Sequence, residues 1–127
     1  MIFGIGVDLV HIPRVERGLE RYGERYSRRI LSAREYGDLG LQTTRPARFV
    51  ASRFAAKEAF AKALGTGFRD GLWLRDISVT HDKLGKPWIE TQGRASALLR
   101  ERGIGATHLS LSDEFDYALA FVTLERV

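Results

Sequence analysis

The sequence predicts an α+β domain in which helices pack on a mostly antiparallel sheet. Three observations carry that expectation. Phe3, Ile5, Val7 and Leu9 alternate with Gly4, Gly6 and Asp8, the period of two that marks a strand. In the first half, the stretches around Val15 to Ile30 and Phe54 to Leu64 repeat apolar residues at helical spacing. In the second half, two pairs of short alternating runs are each joined by a turn-rich segment, as hairpins require.

Taken in order, the first strand has an apolar face and an almost side-chain-free glycine face that ends in a carboxylate, so Asp8 points away from the apolar set. Pro13 suits the first turn of the helix that follows, and Gly23 interrupts it. Ser32 and Glu35 have the spacing of a capping box for a short helix through Leu39. Thr44 is the expected cap of the next helix, with Pro46 in its first turn and Gly65 as its stop after Leu64. Ile77 to His81 and Pro87 to Thr91 flank Asp-Lys-Leu-Gly-Lys, a hairpin loop turning at Gly85. Arg94 to Arg102 is amphipathic through Ala95, Leu98 and Leu99 and is closed by Gly103. His108 to Ser112 and Tyr117 to Leu124 form a last hairpin around Asp113 to Asp116.

At 127 residues, with 44% hydrophobic and 28% charged residues, the chain has the length and composition of one domain spanning residues 1–127. A domain this small has little room for a deep private pocket, so an active site can call on a neighbouring subunit. No cysteine is present, which excludes disulfide staples, Cys-ligated zinc and thiol catalysis. The N-terminus lacks a basic region followed by a long apolar stretch, and no apolar run approaches 18 residues, so the expectation is a soluble cytoplasmic protein without a membrane partner.

The net charge of +4 is concentrated. From His11 to Arg34, seven arginines stand against three glutamates, and the rest of the chain sums to zero. Arg14, Arg17, Arg21, Arg25 and Arg28 follow helical spacing, while Val15, Leu19, Tyr22, Tyr26 and Ile30 form an apolar stripe at the same period. One reading is a solvated face partly neutralised by its own glutamates. The other is a docking surface for an acidic partner, since guanidinium forks match carboxylates and phosphates.

Arg53 to Gly67, RFAAKEAFAKALGTG, sets Glu58 and Lys62 at i and i+4 on one helical face just ahead of Gly-Thr-Gly. This arrangement suits a phosphate ester with a bound metal. Taken alone, it is more commonly the pattern of a surface ion pair followed by a glycine cap.

Three segments together carry a resemblance: FGIGVDLVHIPRVE at 3–16, RFAAKEAFAKALGTG with FRDGL at 53–72, and LGKP at 84–87 with THLSLSDEFDYALAFVTLE at 107–125. In this order the chain resembles the holo-acyl-carrier-protein synthases, the short single-domain type of 4′-phosphopantetheinyl transferase. The discriminating set is Gly-Val-Asp near the start, FAAKEAFAK in place of a WxxKExxxK pattern, and the Gly-Thr-Gly that follows. The resemblance implies transfer of phosphopantetheine from coenzyme A to a serine of acyl carrier protein, with release of 3′,5′-ADP, in support of fatty acid synthesis. It implies magnesium held by Asp8 and Glu58, which agrees with the preference of that ion for one or two carboxylates completed by water and substrate phosphates. Lys62, one turn beyond Glu58, would meet a phosphate oxygen and assist the leaving group. A water helped by Glu58 or Asp8 is the simplest base for the attacking serine.

Further contacts with coenzyme A are implied for Arg53, Lys62, Gly65, Thr66, Gly67, Lys86, Pro87 and His108, the last reaching the coenzyme from an adjacent subunit. Gly-Thr-Gly and Gly-Lys-Pro are also ordinary turn sequences, so cap and cradle stay open as alternatives. The resemblance gives the arginine stripe a partner, because acyl carrier proteins are acidic and dock on this helix; Arg14 and Arg21 lead the set. It also implies a homotrimer with sites at the subunit interfaces. Two other classes fit parts of the sequence. A nucleic-acid-binding module would explain the basic face but calls for aromatics among the exposed basic residues, whereas Tyr22 and Tyr26 lie on the apolar stripe, so no nucleic-acid partner is expected. A non-catalytic coenzyme-binding module would leave Asp8 without a purpose.

Overall fold

The computed structural model describes residues 1–42 and 44–127. Strand β1 (Ile2–His11) leads into helices α1 (Ile12–Tyr22), α2 (Glu24–Ile30), α3 (Ala33–Gln42) and α4 (Pro46–Leu64). A hairpin of β2 (Ile77–His81) and β3 (Pro87–Thr91), helix α5 (Gly93–Glu101) and a hairpin of β4 (Ile104–Asp113) and β5 (Tyr117–Arg126) complete the chain. Every pairing is antiparallel: β5 lies between β1 and β4 in one sheet, and β2 with β3 makes a second. The expected α+β architecture is therefore present, with the helices following the predicted order.

Local sequence accounts for most boundaries. Gly23 adopts φ 57°, a left-handed value open to glycine at little cost, and separates α1 from α2. That break leaves Tyr22 as the last residue of α1. Tyr22, expected on the buried stripe, is instead 53% exposed, while Val15 and Ile30 are buried. The capping box forms in both directions: Glu35 N donates to Ser32 Oγ at 3.2 Å, and Ser32 N donates to Glu35 Oε1 at 3.0 Å. Its helix runs beyond Leu39 to Gln42.

The cap of α4 differs from the expectation. Arg45, not Thr44, is the N-cap, and its side chain makes no capping hydrogen bond. Pro46 explains the first point, since its ring forces the preceding residue out of helical geometry, and arginine explains the second, since its guanidinium carries no acceptor for the first-turn N–H groups.

The packing of β1 on α4 positions everything that follows. A Cβ added at Gly4 would lie 2.1 Å from Ala63 O, and one at Gly6 would lie 2.0 Å from Ala59 O. The glycine face of β1 thus lies directly against the α4 backbone, which is lined by buried Ala55, Ala56, Ala59 and Ala63. The register places Gly6, Val122 and Leu109 across one row of this face and Asp8, Ala120 and Leu111 across the next. Residues of the opposite face, Ile5, Val7, Leu9, Leu119 and Phe121, remain exposed although apolar. Core side chains fully enclosed between sheet and helices include Phe60, Ile12, Leu31, Leu64 and Leu124.

Candidate active site

Asp8 sits on the glycine face of β1, beside the last turns of α4. Lys62 Nζ donates to Asp8 Oδ1 at 3.0 Å and to the carbonyl of Val7 at 2.9 Å. The ion pair of Lys62 is therefore with Asp8 on another element, and not the local i,i+4 pair with Glu58 that the sequence also allowed. Asp8 keeps only 16% of its side-chain surface exposed, while Lys62 keeps 54%, so the ammonium lies at the mouth of the site.

Glu58 is one helical turn before Lys62 and shares its face. Burial raises the pKa of its carboxyl above the usual value, and the negative Asp8 nearby raises it further; Lys62 and Arg14 act in the opposite direction. Two carboxylates close enough for Asp8 to raise the proton affinity of Glu58, with an open side, form a donor set that suits a hard divalent cation. Among the described residues, no cluster of three or more His, Cys, Asp or Glu offers a larger cage. Magnesium completed by substrate oxygens fits this pair.

Gly-Thr-Gly lies immediately beyond Lys62, and its amides are largely committed. Gly65, at φ 85°, donates to Ala61 O at 3.1 Å and Lys62 O at 3.0 Å, and Gly67 donates to Ala61 O at 3.3 Å. Thr66 Oγ1 donates to Gly67 O at 2.8 Å. The turn closes the helix and leaves little of its backbone for a phosphate.

Arg53 faces a different region. Its guanidinium lies 3.7 Å from the centre of the Phe49 ring and donates to Ser52 Oγ at 3.1 Å. Burial lowers its pKa, with Glu35 and Asp38 offsetting part of the effect. Its Nε is buried and has no hydrogen-bond partner among the described residues. Arg53 lines a cavity of about 500 Å³ together with Arg45, Arg48, Phe49, His81 and Asp113. Arg45, Arg48 and His81 were not singled out in the sequence, although Arg45, Arg48 and Arg53 form a second basic cluster around the start of one helix that could have been noticed.

Pro87 pairs with His81, which lines this cavity, at the loop end of the β2–β3 hairpin. Lys86 is exposed at the loop; its backbone N–H donates to Asp82 Oδ1 at 2.9 Å, and its Nζ lies 5.1 Å from the centre of the Trp88 ring. His108 is on the other side of the main sheet. It shares a row with Thr123 and Ile5, one face away from the row of Asp8, and pairs through Nε2 with Glu125 Oε1 at 2.7 Å. Within the chain, then, Asp8, Glu58 and Lys62 come together, while His108 stays apart. Arg14, Arg17 and Arg21 on α1 and Arg25 and Arg28 on α2 are all exposed. Arg14 is close enough to act on Glu58, so the basic face begins at the carboxylate pair.

Comparison with known proteins agrees with this geometry. The family described as "ACPS: 4′-phosphopantetheinyl transferase superfamily" matches residues 4–122. A holo-[acyl-carrier-protein] synthase from Nitrosospira multiformis is 50% identical over 126 residues, covering 99% of this chain and all of that one. The crystal structure of holo-[acyl-carrier-protein] synthase from Neisseria meningitidis superposes with a TM-score of 0.94 at 44% identity, covering 99% of this chain and 100% of that chain. The synthase from Bacillus anthracis, in complex with CoA (3′,5′-ADP), superposes with a TM-score of 0.81 at 38% identity, covering 100% of this chain and 99% of that chain. On full-length sequence identity and on fold, the chain belongs to the 4′-phosphopantetheinyl transferase superfamily, among its holo-[acyl-carrier-protein] synthases.

Proposed function

We propose that this protein transfers 4′-phosphopantetheine from coenzyme A to a serine of apo acyl carrier protein, releasing 3′,5′-ADP and supplying holo carrier protein to fatty acid synthesis. The observation that carries this reading is the approach of β1 to α4 through Gly4 and Gly6, which sets Asp8 beside Lys62 and Glu58. Asp8 and Glu58 would hold magnesium, whose charge, when bound, neutralises the diphosphate and polarises the phosphorus under attack.

The residues of the chain divide the remaining work. The serine oxygen forms a bond to the β-phosphorus while the bond from that phosphorus to the bridging oxygen breaks, and the bridging oxygen leaves with 3′,5′-ADP. Lys62 Nζ, already at the mouth of the site, turns from Asp8 to a phosphate oxygen and stabilises charge on the leaving group. Glu58, with its raised proton affinity, receives the serine proton by way of a water. Arg53 and its basic cavity hold the phosphorylated nucleotide end, with Pro87 and Lys86 contributing from the hairpin that brings His81 to the cavity. Gly65, Thr66 and Gly67 act chiefly by ending α4 at the right point and contact the coenzyme from the surface of that turn.

Two features extend the reading beyond one protomer. The exposed arginines from Arg14 to Arg28 form the docking face for the acidic carrier protein. The exposed apolar face bearing Ile5, Val7, Leu9, Leu119 and Phe121 is covered by further copies of the chain in a homotrimer, which brings His108, on that same side, to a neighbour's coenzyme. Among the described residues, no helix is long and apolar enough to cross a membrane. The proposed reaction is placed in the cytoplasm, where coenzyme A and carrier protein would meet.

Mass spectrometry of apo carrier protein incubated with this protein, coenzyme A and magnesium tests the proposal. Gain of one phosphopantetheine is the expected result. No gain with any carrier protein, together with retained binding of coenzyme A, would reduce the protein to a binding module.

A further inference from the structure

Lys57, the residue before Glu58, is completely buried, as is Glu35. Lys57 Nζ donates to Glu35 Oε1 at 2.5 Å and to the carbonyl of Ile30 at 2.6 Å. Ile30 is the last residue of α2, so the ammonium caps the negative end of the short helix that carries Arg25 and Arg28. Glu35 extends the connection: its Oε1 also accepts from Ser32 N, and its Oε2 accepts from Val79 N of β2 at 2.8 Å. Ser78 Oγ, on the same strand, donates to Ser32 Oγ at 2.6 Å. One buried lysine–carboxylate pair therefore joins α2, α3, α4 and the β2–β3 hairpin.

Such a pair is a costly way to gain stability, because both ions lose their hydration and well-packed apolar side chains would serve at least as well. Its geometry points to orientation. The other end of α2 begins at Gly23, where a φ of 57° breaks the helix and the Tyr26 ring lies against Gly18 of α1, so the cap at Ile30 holds the far end of α2 against α3 and α4. Consecutive residues on a helix are about 100° apart around the axis. Lys57 therefore reaches α2 and α3 while Glu58 faces Asp8 across the neighbouring side of α4.

We infer that Lys57 is a positioning residue for carrier-protein recognition: by capping α2 at Ile30, it sets the arginines of that helix in register with Glu58 and the carboxylate pair. This rests on the proposed docking of the carrier protein on the arginine face. It assigns Lys57 no contact with coenzyme A or with the reacting atoms.

The test uses Lys57→Met and, because the single change strands a buried carboxylate, the double variant Lys57→Met/Glu35→Gln, which removes both charges. Circular dichroism and thermal melting establish that the double variant is folded. Steady-state kinetics then varies each substrate in turn. The expected result is a KM for carrier protein raised about tenfold, with the KM for coenzyme A within about twofold of wild type. A merely structural role would lower the melting temperature and leave the ratio of the two KM values unchanged, and that outcome would overturn the inference. Arg25→Glu/Arg28→Glu is the companion measurement. If it raises the carrier-protein KM while the folded Lys57 variant does not, this inference alone fails; if it leaves that KM unchanged, the docking reading fails first.

Discussion

Replacing Gly6 by alanine tests the proposition that the active site exists because a bare strand lies on a helix backbone. The added methyl would sit 2.0 Å from Ala59 O, 2.8 Å from Ala63 N and 2.9 Å from Ala59 C, where ordinary van der Waals contact begins at 3.4 Å. All three atoms are backbone, so no side-chain rotation relieves the clash. Either β1 or α4 must move by about 1 Å, a displacement large enough to cost on the order of a hundredfold in rate when it separates groups that act together. Overpacking of this kind destabilises by about 1–3 kcal/mol, which for a domain of this length lowers the melting temperature by roughly 10 °C at the upper end. The assay is carrier-protein modification at saturating substrates and magnesium, at a temperature where circular dichroism shows the variant folded. Gly37→Ala on α3 is the control: nothing lies within 4 Å of the added carbon, and the change should be neutral or stabilising by about 0.5–1 kcal/mol. If Gly6→Ala matched wild type in both turnover and melting, the close approach of β1 to α4 would not be what places Asp8.

Glu58→Gln is isosteric and should abolish most turnover even at saturating magnesium; a rate equal to wild type would remove Glu58 from both metal binding and proton transfer. Arg14→Glu/Arg21→Glu should raise the KM for carrier protein about tenfold or more with little change for coenzyme A, and the wild-type rate should fall as salt rises; equal weakening toward both substrates would count against docking on this face. Placing a charge on the exposed apolar face, as in Val7→Asp, should convert the assembly to monomers in light scattering and lower activity with it. A monomeric wild-type protein of full activity would exclude shared sites.

Much of the fold could be read from local pattern. The hairpin around Gly85, the capping box at Ser32 and Glu35, and the glycine stops at Gly23 and Gly65 each depend on a few adjacent residues, and each appears as expected. Errors arose where a neighbour overrode the pattern. Pro46 moved the α4 cap to Arg45, and Gly23 ended α1 immediately after Tyr22, whose ring is exposed at the helix terminus. Lys57 was invisible for a different reason: next to a catalytic candidate, a lysine in a helix is expected to reach solvent, and nothing local announces a carboxylate 22 residues earlier in the chain as its buried partner.

The sequence by itself determined the residue types that can do this chemistry: two carboxylates, a lysine one turn beyond the second, and a basic stripe with a period of 3.6. It also determined that β1 has one face without side chains. Only the tertiary structure decided that this bare face is the one pressed against α4, and hence that Lys62 pairs with Asp8 and not with Glu58. The physical reason is distance. An i,i+4 spacing is set by the helix alone, whereas the separation of Asp8 from α4 is set by how closely two backbones pack, which the absence of Cβ atoms at Gly4 and Gly6 permits and no local rule requires. The same packing turned the apolar face bearing Ile5, Val7 and Leu9 outward.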